Sequence, residues 1–293
     1  MVTSPPAVSV LVTVYNRERF LAACLESILA SSFCNFELLV VDDQSSDGSV
    51  AIAEKYAAND SRIKVFQNDR NLGDYPNRNR IAALAVGKYL KYVDADDLIY
   101  PYSIQVMVEA MERFPTAAFG LSWSVVDPPQ PYPFILDPTA ALGAHFLGRS
   151  PLGDGPTAGI IRRDVFESIG GFSGKQFVGD TELWLRLCSR WPLVSLPPSL
   201  VWWRRHEGQQ MTMEDERPDV INLRFAVHES ALLECGVLSQ SDTRAALVRG
   251  RQHHARHLWS IAVRQRKPRL ALRLFCASGL SLRDALRGMK PYS

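Results

Sequence analysis

The chain has 293 residues, 46% of them hydrophobic and 22% charged, with a formal net charge of +2. That composition supports a sizeable core and excludes wholesale disorder. No apolar run reaches the ~18–20 residues that cross a bilayer. Met1-Val2-Thr3-Ser4-Pro5-Pro6 has neither a basic n-region nor an apolar h-region, so neither a membrane span nor a signal peptide is expected.

Taken in chain order, Val8 to Val14 is a nearly all-apolar, β-branched run and reads as a strand buried on both faces. Arg19 to Leu29 carries apolar residues at helical spacing. Phe36 to Val41 is a second buried strand, and Ser46 or Asp47 can cap a helix reaching about Asn59. Ile63 to Phe66 reads as a strand, Asn77 to Val86 as a helix, and Tyr89 to Val93 as a fourth strand. A helix from Pro101 to Phe114 and a strand from Phe119 to Val126 follow. This alternation predicts a doubly wound α/β sheet, mostly parallel and flanked by helices.

The prolines between Asp127 and Pro138 predict a loop, and Ser150 to Gly155 a second one. Short elements are expected at Ala158–Ile161 and Asp164–Ile169. A helix is expected over Asp180–Trp191 with Leu183, Trp184, Leu187 and Cys188 on one face, and a strand over Leu200–Trp203. Beyond Arg217 the chain reads as helices.

Charge divides unevenly. Residues 1–216 carry 19 Lys+Arg against 26 Asp+Glu, whereas residues 217–293 carry 14 against 5. The expected organisation is therefore an acidic body over 1–216, the part that holds the α/β pattern, and a helical basic extension over 217–293. In the extension, Leu270, Leu272, Leu274, Phe275, Leu280, Leu282 and Leu286 interleave with Arg269, Arg273, Arg283 and Arg287. Two readings stay open for it: a helical appendage packed on protein, or a basic amphipathic surface lying on an anionic membrane. Nucleic acid is the least favoured partner. The five cysteines are scattered with no C-x-x-C pair, which predicts free thiols in a reducing compartment and no structural zinc.

Open α/β sheets bind ligands at the carboxyl ends of their strands. Asp42-Asp43 follows the second strand, Asp94-Ala95-Asp96-Asp97 the fourth, and Asp180 opens a helix. Three carboxylates within four residues repel one another unless a cation sits among them. Oxygen-only donors favour Mg²⁺ or Mn²⁺, ions that share their shell with substrate phosphates. Neither G-x-x-x-x-G-K-[ST] nor G-x-G-x-x-G occurs, so the nucleotide reading rests on the carboxylates alone. A nucleotidyltransferase would share this layout, but it would carry a Gly-rich basic loop where Tyr15-Asn16-Arg17-Glu18-Arg19 stands.

These pieces resemble a family 2 glycosyltransferase of the GT-A fold. The likeness is carried by Val8 to Asn16, Val40-Val41-Asp42-Asp43-Gln44-Ser45-Ser46-Asp47-Gly48-Ser49, Asn71-Leu72-Gly73, Arg78-Asn79, Tyr92-Val93-Asp94-Ala95-Asp96-Asp97, Ile169-Gly170-Gly171-Phe172 and Asp180 to Arg186, over about residues 7–210. The resemblance implies Thr13, Val14 and Asn16 near the nucleotide, and Asp43 or its neighbour Asp42 on the base or ribose. It implies Arg78 and Asn79 near the donor phosphates and sugar, and Asp94-Ala95-Asp96 as a D-x-D motif, with Asp96 the principal metal carboxylate and Asp97 beside it. Asp180 would be the general base, and Arg204 and His206 an R-x-H segment near the diphosphate.

Two stretches depart from the family pattern. Gly179 stands where a glutamate often precedes the base, and Asp74-Tyr75-Pro76-Asn77 stands where small residues are usual. There is no Q-x-x-R-W segment, which speaks against a processive synthase. The implied function is a non-processive, inverting, Mn²⁺- or Mg²⁺-dependent transfer from a nucleoside-diphosphate sugar, with UDP favoured. The acceptor would be a glycan or lipid-linked hydroxyl in surface polysaccharide or glycolipid synthesis. The implied setting is cytoplasmic, with the membrane periphery open. The rival is a catalytically degenerate nucleotide-sugar-binding scaffold on the same fold.

Overall fold

A computed structural model describes residues 5–122, 130–153, 155–206, 209 and 217–288. The chain forms two compact units, Met1–Pro138 with Pro151–Arg205, and Thr139–Ser150 with His206–Ser293. The division falls close to the end of the expected acidic body, but residues 139–150 group with the C-terminal unit.

The first unit is built on an eight-stranded sheet in the order β3-β2-β1-β4-β8-β6-β9-β7. The strands are β1 (Val8–Val14), β2 (Phe36–Asp42), β3 (Ile63–Gln67), β4 (Tyr89–Tyr92), β6 (Phe119–Ser122), β7 (Phe134–Leu136), β8 (Gly159–Arg162) and β9 (Leu193–Leu196). β1 pairs in parallel with both β2 and β4, β2 with β3, and β6 with β9. β8 runs antiparallel to β4 and β6, and β7 antiparallel to β9. The sheet is thus mostly parallel. Val8, Val10, Leu11, Val12, Leu38, Leu39 and Val40 are all but inaccessible, as strands covered on both faces require. Helices α1 (Glu18–Leu29), α2 (Ser49–Ala57), α3 (Asp74–Ala83), α4 (Ser103–Arg113), α6 (Arg163–Ser168) and α7 (Gly179–Cys188) complete this unit. Leu21, Leu25, Ile28, Ile104 and Met107 pack into the same core as β1 and β2.

Several local expectations are corrected. The helix expected from Asn77 begins at Asp74. Pro76 lies in its first turn, where backbone N–H groups lack intrahelical partners and a proline costs little. The proline-rich stretch, expected as a loop with extended character, contains β7, which among the described residues pairs with β9 at the sheet edge, where a proline-flanked strand is tolerated. Helix α5 (Pro138–Leu147) follows it directly. The helix expected to reach Trp191 ends at Cys188, and the strand expected over Leu200–Trp203 is β10 (Val201–Trp202), paired with β5 (Leu98–Ile99) in a separate two-stranded sheet. Residues 123–126 of the strand expected over Phe119–Val126 lie outside the described residues.

The second unit contains α8 (Pro218–Glu234), α9 (Gln240–Val263), α10 (Pro268–Ala277) and α11 (Leu282–Gly288). Ala255, Leu258, Ile261, Ala271, Leu274 and Leu280 form its own small core. Pro268 opens α10, where its missing N–H costs nothing. Among the described residues, no helix is long and apolar enough to cross a membrane.

This unit buries histidines. His254 stacks on Phe225 at 4.2 Å between ring centroids, and its Nε2 lies 3.0 Å from Asn222 Oδ1. Asn222 Nδ2 donates to Leu274 O at 2.9 Å, so Oδ1 faces the ring and His254 Nε2 carries the proton. Burial pushes His254 down to about 4, and burial followed by the nearby His228 pushes His145 down to about 3. The unfolded chain therefore binds more protons below the ordinary histidine pKa of about 6.5. Stability falls with pH from there until the folded values are reached, by about 2 kcal/mol per histidine at pH 5. Hydrogen exchange of residues 217–288, corrected for intrinsic rates, should show protection dropping between pH 6.5 and 5. Unchanged protection would show that these rings carry no such penalty.

Candidate active site

The chain runs from β1 outward to β2 and β3, then returns to place β4 on the other side of β1. Connections from β1 and β4 thus leave in opposite directions, opening a crevice at their carboxyl ends, where ligands bind in such sheets. Thr13 and Val14 end β1, Asp42 ends β2 and Asp94 follows β4 by one residue after Val93.

The β1 and β2 ends are tied together. Asp43 N donates to Val14 O at 2.8 Å, and Ser46 N donates to Asn16 Oδ1 at 2.8 Å. Asn16 adopts φ +53, a left-handed turn that asparagine tolerates. Asp47 accepts from Glu18 N and Ser49 N, both at 3.0 Å, so one carboxylate serves the starts of α1 and α2. The N-cap of α2 is Gly48 and not Ser46 or Asp47 as expected, although Asp47 just before it supplies the acceptor for Ser49 N.

Asp42 and Asp43 are both buried but differ in use. Asp43 accepts from Asn68 Nδ2 at 2.6 Å, Leu72 N at 2.8 Å and Gly73 N at 2.9 Å, which engages both its oxygens in holding the 68–73 loop. Asp42 Oδ2 accepts from Ser45 N at 2.9 Å, while its buried Oδ1 has no hydrogen-bond partner. A buried oxygen left in that state costs free energy, and a donor from a bound ligand would relieve it.

The acidic loop after β4 is braced by arginines. Arg17 Nε lies 3.1 Å from Asp96 Oδ2. Arg78, almost wholly buried, reaches Asp74 Oδ1 with Nε and Asp94 Oδ1 with Nη2, both at 2.7 Å. Arg204 donates Nε to Asp96 O at 2.8 Å and its backbone N to Asp97 Oδ1 at 3.1 Å. Thr157 bridges the loop: its hydroxyl accepts from Asp94 N at 3.0 Å and donates to Asp97, and its carbonyl accepts from the wholly buried Lys91. Burial, then the charge of Asp94, raises the Asp97 carboxyl to about 8. Burial lowers Lys91 to about 7.

Asp180 lies in the first turn of α7, one residue inside the helix start, and not at its cap. Its Oδ1 accepts from Thr181 N at 2.7 Å, and its N–H donates to Tyr75 Oη at 3.3 Å. Burial raises its pKa, and Arg78, Asp74 and Asp94 are all close enough to act on it. The base candidate, the buried arginine and the β4 loop therefore share one electrostatic environment.

Two candidates are placed differently from expectation. Asn79 spends its side chain on the backbone of Phe172, donating Nδ2 to Phe172 O at 2.8 Å and accepting from Phe172 N at 2.9 Å. It fastens α3 to the Gly170-Gly171-Phe172 turn, which leaves its amide little to offer a donor sugar. His206 falls in the second unit, where its N donates to Gln209 Oε1 at 3.2 Å. Trp202 and Trp203 are exposed and lie under the guanidinium groups of Arg204 and Arg205, not in the core. Arg17, Lys91 and Thr157 escaped the sequence reading, and Asp74 and Tyr75 stood out there only as a departure from the family pattern. For Arg17 the one local signal was a basic residue three positions beyond a buried strand that ends at a ligand crevice.

Among the described residues, no group of three or more His, Cys, Asp or Glu side chains is arranged to hold a metal ion by itself. The donor chemistry at Asp96 and Asp97 still suits a hard cation. Only carboxylate oxygens are offered, and burial, followed by the charge of Asp94, holds the Asp97 carboxyl above its ordinary range. Such an ion would draw the rest of its shell from water and substrate phosphate.

A mostly parallel α/β domain with carboxylates at its topological switch point has the architecture of the GT-A fold. The model of glycosyl transferase family 2 matches residues 9–170, and the chain belongs to that family. Over 111 residues it is 42% identical to EpsE of Bacillus subtilis (strain 168), and over 106 residues it is 30% identical to the glycosyltransferase GlyG of Streptococcus pneumoniae serotype 4. These stretches cover 38% and 36% of this chain, and only 40% and 35% of the two relatives. S. aureus TarS (residues 1–349, in complex with UDP-GlcNAc) superposes with a TM-score of 0.71 at 19% identity, over 96% of this chain and 84% of that one. The mannosyltransferase PcManGT from Pyrobaculum calidifontis, in complex with GDP-Man and Mn²⁺, gives 0.67 at 17% identity, over 97% and 79%. At these identities the likeness speaks for the fold.

Proposed function

We propose that this chain transfers a sugar from a nucleoside-diphosphate donor, UDP-linked by preference, to an acceptor hydroxyl with inversion at the anomeric carbon. The observation that carries this reading is the placement of Asp180 beside Arg78 and the Asp94–Asp97 loop at the crevice of the sheet. In a single displacement the acceptor oxygen bonds to the anomeric carbon while the bond from that carbon to the diphosphate oxygen breaks, its electron pair leaving with the diphosphate. Asp180 takes the acceptor proton. Its raised pKa suits that task. The unpartnered Asp42 Oδ1 is the acceptor atom we assign to the nucleoside, and Asp43 the residue that shapes its loop. Asp96, with Asp97 beside it, would hold a Mn²⁺ or Mg²⁺ ion, which when bound neutralises charge on the diphosphate.

The acceptor we assign is a glycan or lipid-linked hydroxyl at the cytoplasmic side of a membrane. Five unpaired cysteines support a reducing compartment. Exposed Leu272, Leu282 and Leu286 beside Arg269, Arg273, Arg283 and Arg287 support contact with an anionic leaflet.

The test is release of nucleoside diphosphate from a panel of UDP-, GDP- and dTDP-sugars in the presence of Mn²⁺. Turnover of one nucleotide class, with inverted product, is the expected result. Nucleotide binding without any turnover would favour a degenerate scaffold instead.

A further inference from the structure

Tyr75 and Gly179 are 104 positions apart, and both belong to the stretches that depart from the family pattern. In the structure they touch. A Cβ placed on Gly179 would lie 2.7 Å from both Cε2 and Cζ of Tyr75, far inside van der Waals contact. Gly179 does not have a left-handed φ, so the glycine is there for space and not for backbone conformation.

The ring has nowhere to retreat. Tyr75 is buried, and its ring packs on Phe172 at 5.1 Å between centroids. Phe172 is pinned through its backbone by Asn79 and packs in turn on Tyr92 and Phe166. The Tyr75 hydroxyl then accepts from Asp180 N, the backbone of the base candidate.

We propose that Tyr75 is the positioning residue for Asp180: its ring wedges against the bare backbone of Gly179 and its hydroxyl holds the Asp180 N–H, which together fix the first turn of α7 and the direction of the Asp180 carboxylate. The proposal rests on the reading of Asp180 as the base. It makes the two departures one feature: a tyrosine at 75 requires a residue without a side chain at 179. A large side chain at either position then excludes one at the other. Asp74 and Asp180 both act on the Tyr75 phenol, as expected of a hydroxyl set among the site's carboxylates.

Four variants of the full chain test it: Tyr75→Phe, Tyr75→Ala, Gly179→Ala and the double Tyr75→Ala/Gly179→Ala. Each is assayed for nucleoside diphosphate release with the donor that the parent turns over, and for Tm. Tyr75→Phe keeps the ring and removes the hydrogen bond. It should lower kcat about ten-fold with donor KM within two-fold, because misdirecting a catalytic group costs turnover and not donor affinity. Gly179→Ala should lower kcat about a hundred-fold and Tm by several degrees in the parent, since overpacking a closed site is destabilising. In the Tyr75→Ala background the same substitution should change kcat by less than about three-fold and leave Tm nearly unmoved, because the space it needs is now open.

Equal costs of Gly179→Ala in both backgrounds, or a Tyr75→Phe variant with parental kcat, would overturn the proposal. A change in donor KM alone would also overturn it, because that would mark Tyr75 as a binding residue. If the parent turns over no nucleotide sugar, the transfer reading fails and takes the positioning role with it. The Tm cycle would then report the Tyr75–Gly179 fit by itself, so the two failures are told apart.

Discussion

Asp180→Asn should lower turnover by about 10²–10⁴-fold, the usual worth of a general base. The substitution preserves shape: asparagine can still accept from Thr181 N through its Oδ1, so the start of α7 should hold. What is lost is the capacity to take a proton. Nucleotide affinity should stay within a few-fold of the parent, because the nucleoside is assigned to Asp42, whereas Asp180 bonds to Thr181 N and Tyr75. The parent's rate should also rise with pH through an acid limb that lies above the ordinary carboxylate range, because burial raises Asp180 and only the deprotonated form acts as base. Turnover in the variant within a few-fold of the parent would remove Asp180 from the role.

The second large effect is expected on stability. Asp43→Ala leaves Leu72 N without its acceptor and takes one acceptor each from Asn68 Nδ2 and Gly73 N, which keep only Asn77 Oδ1 and Asn71 Oδ1. A donor left unpaired costs about 1–3 kcal/mol and each lost hydrogen bond about 1 kcal/mol, so a loss of about 2–4 kcal/mol is expected after partial rescue by water. The 68–73 loop also leads directly into α3, which carries Tyr75 and Arg78. Disorder there should reach Asp180 and the β4 loop together. Asp43→Asn should cost less, since one oxygen remains and only the donor–donor contact with Gly73 N is unfavourable. Chemical denaturation of the three proteins checks the order. A fully stable Asp43→Ala chain would show that the carboxylate serves a ligand and not the loop.

The parts of this molecule that could be read from residues are those written in local periodicity. Val8 to Val14 and Phe36 to Val41 are nearly all apolar, and they became central parallel strands because only a doubly covered sheet buries both faces of such a run. The acidic residues at the strand ends stand at the crevice because the strand ends themselves are fixed by those runs.

What stayed hidden was written in contacts between distant residues. Arg17 and Asp96 are 79 positions apart, and Tyr75 and Asp180 are 105 apart; no pattern in either neighbourhood announces the pairing. Lys91 stands in the expected fourth strand with nothing local to mark it, yet it is a wholly buried group tied to Thr157. Asn79 shows the opposite failure. Its motif pointed to the donor, and its amide is spent on Phe172, because a side chain's partner depends on which loop the fold brings to it. β7 was obscured by prolines that an edge strand tolerates and a central one does not.

The central claim is that the crevice formed by the ends of β1, β2 and β4 binds a nucleoside diphosphate with the help of a divalent cation. Isothermal titration of the chain with UDP, GDP, dTDP and CMP, each with Mn²⁺ and again with EDTA, addresses it most directly. The account predicts saturable binding of one nucleotide, UDP first among them, that is lost or strongly weakened in EDTA and in the Asp96→Ala variant. Absence of binding by every nucleotide in both conditions would contradict it.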